Sequence, residues 1–293
     1  MMGAYGHVHP EFRHVVDLSE KERIAFLDMP AWVGYARAEQ IMRVLQGLIR
    51  RPIQAHMPNL LIVGGPKNGK TTLIRRFFEI CGKGYMNEEE LRAIKPVIIA
   101  EAPPSASEKG LYISMLEQFF PPVCVADSCV KLRYQVVNQF RNRSVRMLVI
   151  DEFHSLLKTN PTKQREIMDA IKLLSGELSI SIVGIGTREA VHALNVDPQY
   201  ASQFDVFSVS EWNLDAEFQE LLAGFERILP LRQPSCLCES EMALLLYSAC
   251  GGNIGNLHKI LVACAVDAIR NGKERIDKQG LESTVGRFSG SYD

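Results

Sequence analysis

Asn59-Leu60-Leu61-Ile62-Val63-Gly64-Gly65-Pro66-Lys67-Asn68-Gly69-Lys70-Thr71 is the stretch on which the fold turns. Its apolar run ends in glycines, as a short buried strand of a parallel sheet does. Residues 64–71 satisfy G-x-x-x-x-G-K-[ST] in full, and the segment from about Lys70 to Cys81 reads as a helix. A loop of this kind between strand and helix binds phosphate for direct physical reasons. Glycines let the backbone approach an anion without a Cβ in the way. Successive N–H groups and the helix N-terminus offer it positive partial charge. The expected cradle is Gly64, Gly65, Pro66, Lys67, Asn68, Gly69, Lys70, Thr71 and Thr72. Lys70 is placed to reach β- and γ-phosphates, and the Thr71 hydroxyl to ligate Mg²⁺.

Downstream, Val97–Ala100, Met147–Ile150 and Ile180–Gly184 read as further strands, with Val206–Val209 a weaker one. Helical patterns at about 108–119, 128–142 and 162–176 lie between them. Alternation of this kind predicts an α/β fold with a central parallel sheet and right-handed crossovers. After Trp212 the strands stop, and 214–229, 239–250, 254–271 and 277–286 read as helices of a small all-helical C-terminal domain. Upstream, an arm leads into a helix in which Ile41, Val44, Leu45 and Leu48 recur at helical spacing, before Pro52 and Pro58 break the chain. The expected divisions are 1–58, 59–211 and 212–293.

The Met147–Ile150 run ends in Asp151-Glu152. Carboxylates at the carboxyl tip of a parallel strand face the crevice where ligands bind. Asp151 is expected to anchor Mg²⁺ through water, and Glu152 to polarise an attacking water as general base. An adjacent Glu separates water-activating ATPases from most nucleotide kinases and small GTPases, although Asp also favours a helix N-cap. Thr187, after the Ile180–Gly184 strand, is either a sensor of the attacking water and γ-phosphate or an N-cap, and both roles can hold at once. His154 reads as a structural or helix-start residue.

The chain has 293 residues, 46% hydrophobic and 23% charged, enough to bury a sizeable core. Thirty-three Lys and Arg against thirty-four Asp and Glu exclude a strongly basic, histone-like mode of DNA binding while leaving room for a local basic groove. No apolar run approaches the roughly 18 residues of a membrane span. Met1 to Arg13 lacks the apolar region of a signal peptide. Seven cysteines without paired metal spacing fit a reducing, cytoplasmic setting.

Several segments together resemble the TniB/TnsC family of AAA+ ATPases that regulate DNA transposition. They are Trp32-Val33-Gly34-Tyr35-Ala36-Arg37-Ala38-Glu39, Met57 through the glycine loop, Ile150-Asp151-Glu152-Phe153-His154-Ser155-Leu156-Leu157, and Val183-Gly184-Ile185-Gly186-Thr187-Arg188-Glu189-Ala190. The resemblance runs from about residue 10 to 285. It implies an AAA+ P-loop ATPase with a helical C-terminal lid domain, with ATP and Mg²⁺ as cofactors. It implies assembly as a ring or helical filament on duplex DNA, between a TniQ-like target selector and a DDE transposase (TniA/TnsB-like), with hydrolysis driving disassembly. Trp32, Gly34 and Tyr35 then fall where the chain passes the adenine, unless Trp32 is merely a core aromatic.

Two departures stand out, the first from many relatives in the family and the second from AAA+ lids at large, its Gly-x-Ile-Gly-x-Leu form being usual in this family. Gln203-Phe204 replaces the Arg-Phe pair whose Arg reaches a neighbouring subunit's ATP. Either Arg188 or another basic residue serves at that interface, or hydrolysis is slow, since an arginine finger contributes about 10³-fold or more. Gly255 stands where many AAA+ lids carry a sensor arginine, so packing replaces a charge there. For DNA, Lys109, Lys131 and Arg133 are the expected phosphate contacts, each competing with an ordinary solvated helix face. The alternative function is a P-loop nucleotide-binding switch or scaffold that needs no DNA.

Overall fold

In the computed structural model, residues 5–29, 32–89, 91–119, 123–195 and 198–289 are described. They divide into two compact units, one of residues 40–66 with 70–210, the other of 1–39, 67–69 and 211–293.

The first unit is built on strands β1 (Asn59–Gly64), β2 (Tyr85–Asn87), β3 (Arg92–Ile94), β4 (Val97–Glu101), β5 (Met147–Asp151), β6 (Ser181–Gly186) and β7 (Phe204–Val209). Five of them form one sheet in the order β4-β5-β6-β1-β7, every neighbouring pair parallel. Every residue of β1 and β6 is buried, which is why both read as unbroken apolar runs rather than alternating ones. Parallel register brings Val63 beside Gly186, and Glu101 beside Asp151, so all the carboxyl tips share one edge. Helices Glu108–Glu117, Cys129–Asn142 and Pro161–Leu178 lie close to the expected spans. Tyr112, Met115, Leu132, Phe140 and Leu174 from these helices join Leu61, Leu148, Ile150 and Ile182 in one core.

Local boundaries moved where hydrogen bonding reached past the apolar run. The fourth expected strand extends to Gly186, and the fifth starts at Phe204. The helix that opens at Lys70 is α-helical only to Phe77 and closes in a π-turn, Phe78–Gly82. The β2–β3 antiparallel hairpin was not expected: each strand has three residues, and too few of them are buried to leave a period-2 signal.

The second unit is helical: Glu20–Leu27, Ala216–Glu226, Ser240–Cys250, Ile254–Arg270 and Lys278–Ser289. Leu27 and Val33 of the N-terminal segment share its core with Trp212, Phe218, Leu222, Leu246 and Leu261. Helix Glu20–Leu27 carries a capping box, Ser19 with Glu22, a signal the periodicity reading passed over. Its Arg23 is 3% exposed and forms a two-pronged pair with Glu274, each guanidinium nitrogen 2.7 Å from a carboxylate oxygen, and also donates to the Pro230 carbonyl. Burial alone raises the Glu274 pKa, but the bonds from Arg23 and from around Arg232 outweigh that and hold it below the ordinary carboxylate value. A depressed carboxylate stabilises the fold above its unfolded pKa of about 4.3, and that contribution is lost as pH falls through the lower folded value.

Glu274→Ala, which leaves the Arg23 charge buried without its partner, is expected to cost about 3–5 kcal/mol at pH 7. The wild-type protein is expected to melt at progressively lower temperature below about pH 4.3, and the variant to lose part of that acid dependence. Calorimetric melting of both from pH 7 to pH 3 checks the two expectations.

Candidate phosphate and water-activating site

The loop after β1 needs glycine at its first position. A Cβ on Gly64 would lie 2.4 Å from the Val209 carbonyl oxygen of the neighbouring strand. Lys67 and Gly69 both have left-handed φ, +59° and +77°, and these turn the backbone back on itself ahead of the helix. Lys70 opens helix Lys70–Phe77, and its Nζ donates to the carbonyls of Gly64 at 2.9 Å and Gly65 at 2.7 Å. The ammonium is thereby held over the loop mouth. Burial lowers the Lys70 pKa, and the charges of Glu152 and then Asp151 pull in the opposite direction, so both carboxylates lie within its electrostatic reach.

Thr71 Oγ1 and Asp151 Oδ2 are 3.4 Å apart, a loose contact between two hard oxygen donors at the strand tip. Asp151 Oδ1 accepts the backbone N–H of Glu152 at 2.8 Å. Glu152 has φ +53°, a left-handed conformation rare for a residue with a side chain. That turn sends Phe153 into the core, where its N–H donates to Ile185 at 2.7 Å, and leaves the Glu152 side chain 53% exposed. Lys70, Thr71, Asp151 and Glu152 are therefore brought together, with His154 beside Glu152 at 3.3 Å. Thr72 is exposed on the first turn. Thr187 follows the tip of β6; its Oγ1 is buried and makes no hydrogen bond of good geometry, while the hydroxyl helps hold the Glu189 carboxyl low behind the larger effect of Lys158.

The middle of the loop is tied to the helical unit. Asn253 caps helix Ile254–Arg270 by accepting from Gly255 and Asn256, each at 3.1 Å, and donates through Nδ2 to Asn68 Oδ1 at 3.2 Å. The Gly255 N–H also donates to the Lys67 carbonyl at 3.0 Å. A Cβ at Gly255 would lie 2.7 Å from that oxygen, so any side chain there would push the loop away. Asn253 and Asn68 as a pair escaped the sequence reading. The readable part of the signal was an Asn immediately before a helix.

Trp32 is half-buried, Gly34 is exposed, and Tyr35 packs edge-on against Trp212 with ring centroids 5.0 Å apart. Trp212, with the Arg37 guanidinium 5.8 Å above its ring, is the aromatic that organises this segment. Burial pushes the Tyr35 phenol up.

The remaining expected residues lie elsewhere. Arg188 is exposed just past Thr187. Gln203 lines a groove of about 880 Å³ with Arg51, Asn59, Lys172 and Asp205, near the amino ends of β1 and β7 and hence away from the carboxyl tips. Lys109 stands in the first turn of Glu108–Glu117. Lys131 is paired with Asp127 at 2.8 Å, and Arg133 with Glu177, which also meets Arg141 at 3.4 Å.

Among the described residues no cluster of three His, Cys, Asp or Glu could hold a metal unaided, and no helix is long and apolar enough to cross a membrane. The fold is that of AAA+ P-loop ATPases. It is similar to the Aeropyrum pernix ORC2 protein in ADPNP-ADP complexes (TM-score 0.65, 16% identity, 89% of this chain and 71% of that one). It is also similar to Cdc6p from Pyrobaculum aerophilum (0.61, 17%, 89% and 69%). The A. pernix ORC1 protein in complex with DNA superposes at 0.57, with 17% identity over 91% of this chain and 69% of that one. No curated protein matches the chain in sequence. The model of the bacterial TniB protein family matches residues 23–214, well over half of the chain, and on that match the chain belongs to the TniB family.

Proposed function

We propose that the chain is an ATP-hydrolysing, DNA-binding AAA+ regulator of transposition. In this reading it assembles as a ring or filament on duplex target DNA and links a TniQ-like target selector to a DDE transposase of the TniA/TnsB type. The observation that carries the reading is the convergence of Lys70, Thr71, Asp151 and Glu152 on one edge of the sheet in a TniB-family chain.

The reaction is ATP plus water to ADP and phosphate. Loop N–H groups and Lys70 neutralise the phosphates, and Glu152 accepts the proton of the water whose oxygen attacks the γ-phosphorus as the bridging oxygen leaves with ADP. Thr71 and Asp151 suit Mg²⁺, a small hard cation that takes one or two protein oxygens and completes its shell with phosphate and water. Bound there, the metal would neutralise negative charge on the phosphates. Trp32, Gly34 and Tyr35 belong on this reading to the adenine side, and Thr187 to the γ-phosphate side. Gly255 couples the loop to helix Ile254–Arg270 through its backbone N–H, and Asn253 does so through its side chain. With Gln203 at the expected trans position, intrinsic turnover is slow unless Arg188 or another cation acts across the interface.

DNA contact falls to Lys109, Lys131 and Arg133, summed over many subunits. A second reading, a nucleotide switch that needs no DNA, is favoured by one observation: Lys131 and Arg133 already have acidic partners within the chain.

Lys70→Ala is expected to abolish ATP binding, checked by fluorescent-nucleotide titration. Glu152→Gln is expected to keep ATP binding, slow hydrolysis about 10²-fold or more, and leave long-lived oligomers on duplex DNA in electron micrographs. Wild-type binding to DNA of any sequence is expected to weaken steeply with salt; particles that ignore DNA and salt alike support the second reading. Asn253→Ala is expected to cost about 1 kcal/mol from the lost cap and to weaken nucleotide affinity, whereas Asn253→Ser keeps a cap and loses the bond to Asn68 without adding a charge; melting and titration of both separate the two effects.

A further inference from the structure

The side chain that reads as the water-activating base is not held by its own backbone. Glu152 is half-exposed on a left-handed turn, and a glutamate has rotamer freedom that must be restrained before one oxygen can meet a water at about 2.6–3.2 Å. The neighbour that restrains it is His154, two residues on, whose Nε2 lies 3.3 Å from Glu152 Oε2. His154 is only 12% exposed at its side chain, and its Nδ1 is buried without a partner. With Nε2 turned toward the carboxylate, Nδ1 lies on the buried side of the ring, so the imidazole sits edge-on to Glu152.

The ring is also fixed in place. Phe153, fully buried, donates its N–H to Ile185 and stacks at a tilt on Phe204, with centroids 5.6 Å apart. Leu156 and Leu157 anchor the short helix His154–Leu157 from the other side. Gly186 forms the wall: a Cβ there would lie 3.2 Å from the His154 nitrogen and 3.5 Å from Nδ1. The other charges near the ring are Glu189 and the Lys158 that pairs with it at 2.8 Å.

We infer that His154 is the positioning residue of the Glu152 carboxylate, pinning one oxygen so that the other is presented to the attacking water. The inference rests on the ATPase reading above. It gives a chemical role to a histidine that its position in the sequence marks only as a helix starter.

Steady-state ATP hydrolysis, nucleotide titration and melting of purified variants test it. His154→Ala is expected to lower kcat about 10- to 100-fold while KM, nucleotide affinity and melting temperature stay near wild type. His154→Gln, whose amide nitrogen falls at the Nε2 position, is expected to recover most of kcat; His154→Asn, whose amide falls short, is not. Should the alanine variant fail to fold, the Gln–Asn comparison carries the test alone. Wild-type kcat in His154→Ala, equal activity of Gln and Asn variants, or kcat falling only in step with stability and affinity overturns the inference and leaves the ATPase reading intact. A wild-type protein that binds ATP and never hydrolyses it overturns both.

Discussion

Parallel pairing of β1 with β6 and β7, and of β5 with β6 and β4, is the constraint on which the rest depends. It aligns the carboxyl ends of strands that lie far apart in sequence. The loop that follows Gly64, the carboxylates after Ile150 and the hydroxyl after Gly186 are thereby delivered to one edge. The central strands β1 and β6 are buried on both faces, so their register is set by the core and not by the groups at the tips. The tips are then free to carry residues chosen for chemistry.

Two residues near those tips carry backbone strain. Lys67 and Glu152 both adopt left-handed φ, at a cost of roughly 1–2 kcal/mol each. In return the loop turns back ahead of the helix at Lys70, and Phe153 and Glu152 point to opposite environments, one to the core and one to solvent. Strain of this kind persists only where surrounding packing over-determines it. Here the Phe153 hydrogen bond to Ile185, the Leu156–Leu157 anchor and the close approach of Gly64 to Val209 do so.

The helical unit uses polar contacts in the same spirit. Arg23 and Glu274, more than two hundred residues apart, satisfy each other in a nearly dry setting and tie the N-terminal segment to the C-terminal helices. Asn253 and Gly255 fasten the middle of the phosphate loop to the start of helix Ile254–Arg270 through side-chain and backbone bonds. With no side chain at 255, the backbone N–H reaches the Lys67 carbonyl at 3.0 Å, an approach a Cβ would block.

Local sequence determined the α/β alternation, the phosphate loop, the Asp151-Glu152 pair and the four C-terminal helices, because each is written in contiguous apolar runs, helical periodicity or a fixed spacing. It also contained the departures at Gln203 and Gly255. Only tertiary structure decided the strand order, the joining of residues before 40 to the helical core, the clasp of His154 on Glu152 and the Asn68–Asn253 bond. It also decided that Lys131 and Arg133 are spent on acidic neighbours. The strand order, the Arg133–Glu177 pair and the Asn68–Asn253 bond join distant elements, whose partners neither periodicity nor spacing along the chain encodes; His154 with Glu152 and Lys131 with Asp127 are near in sequence, and there packing decides only that the side chains meet.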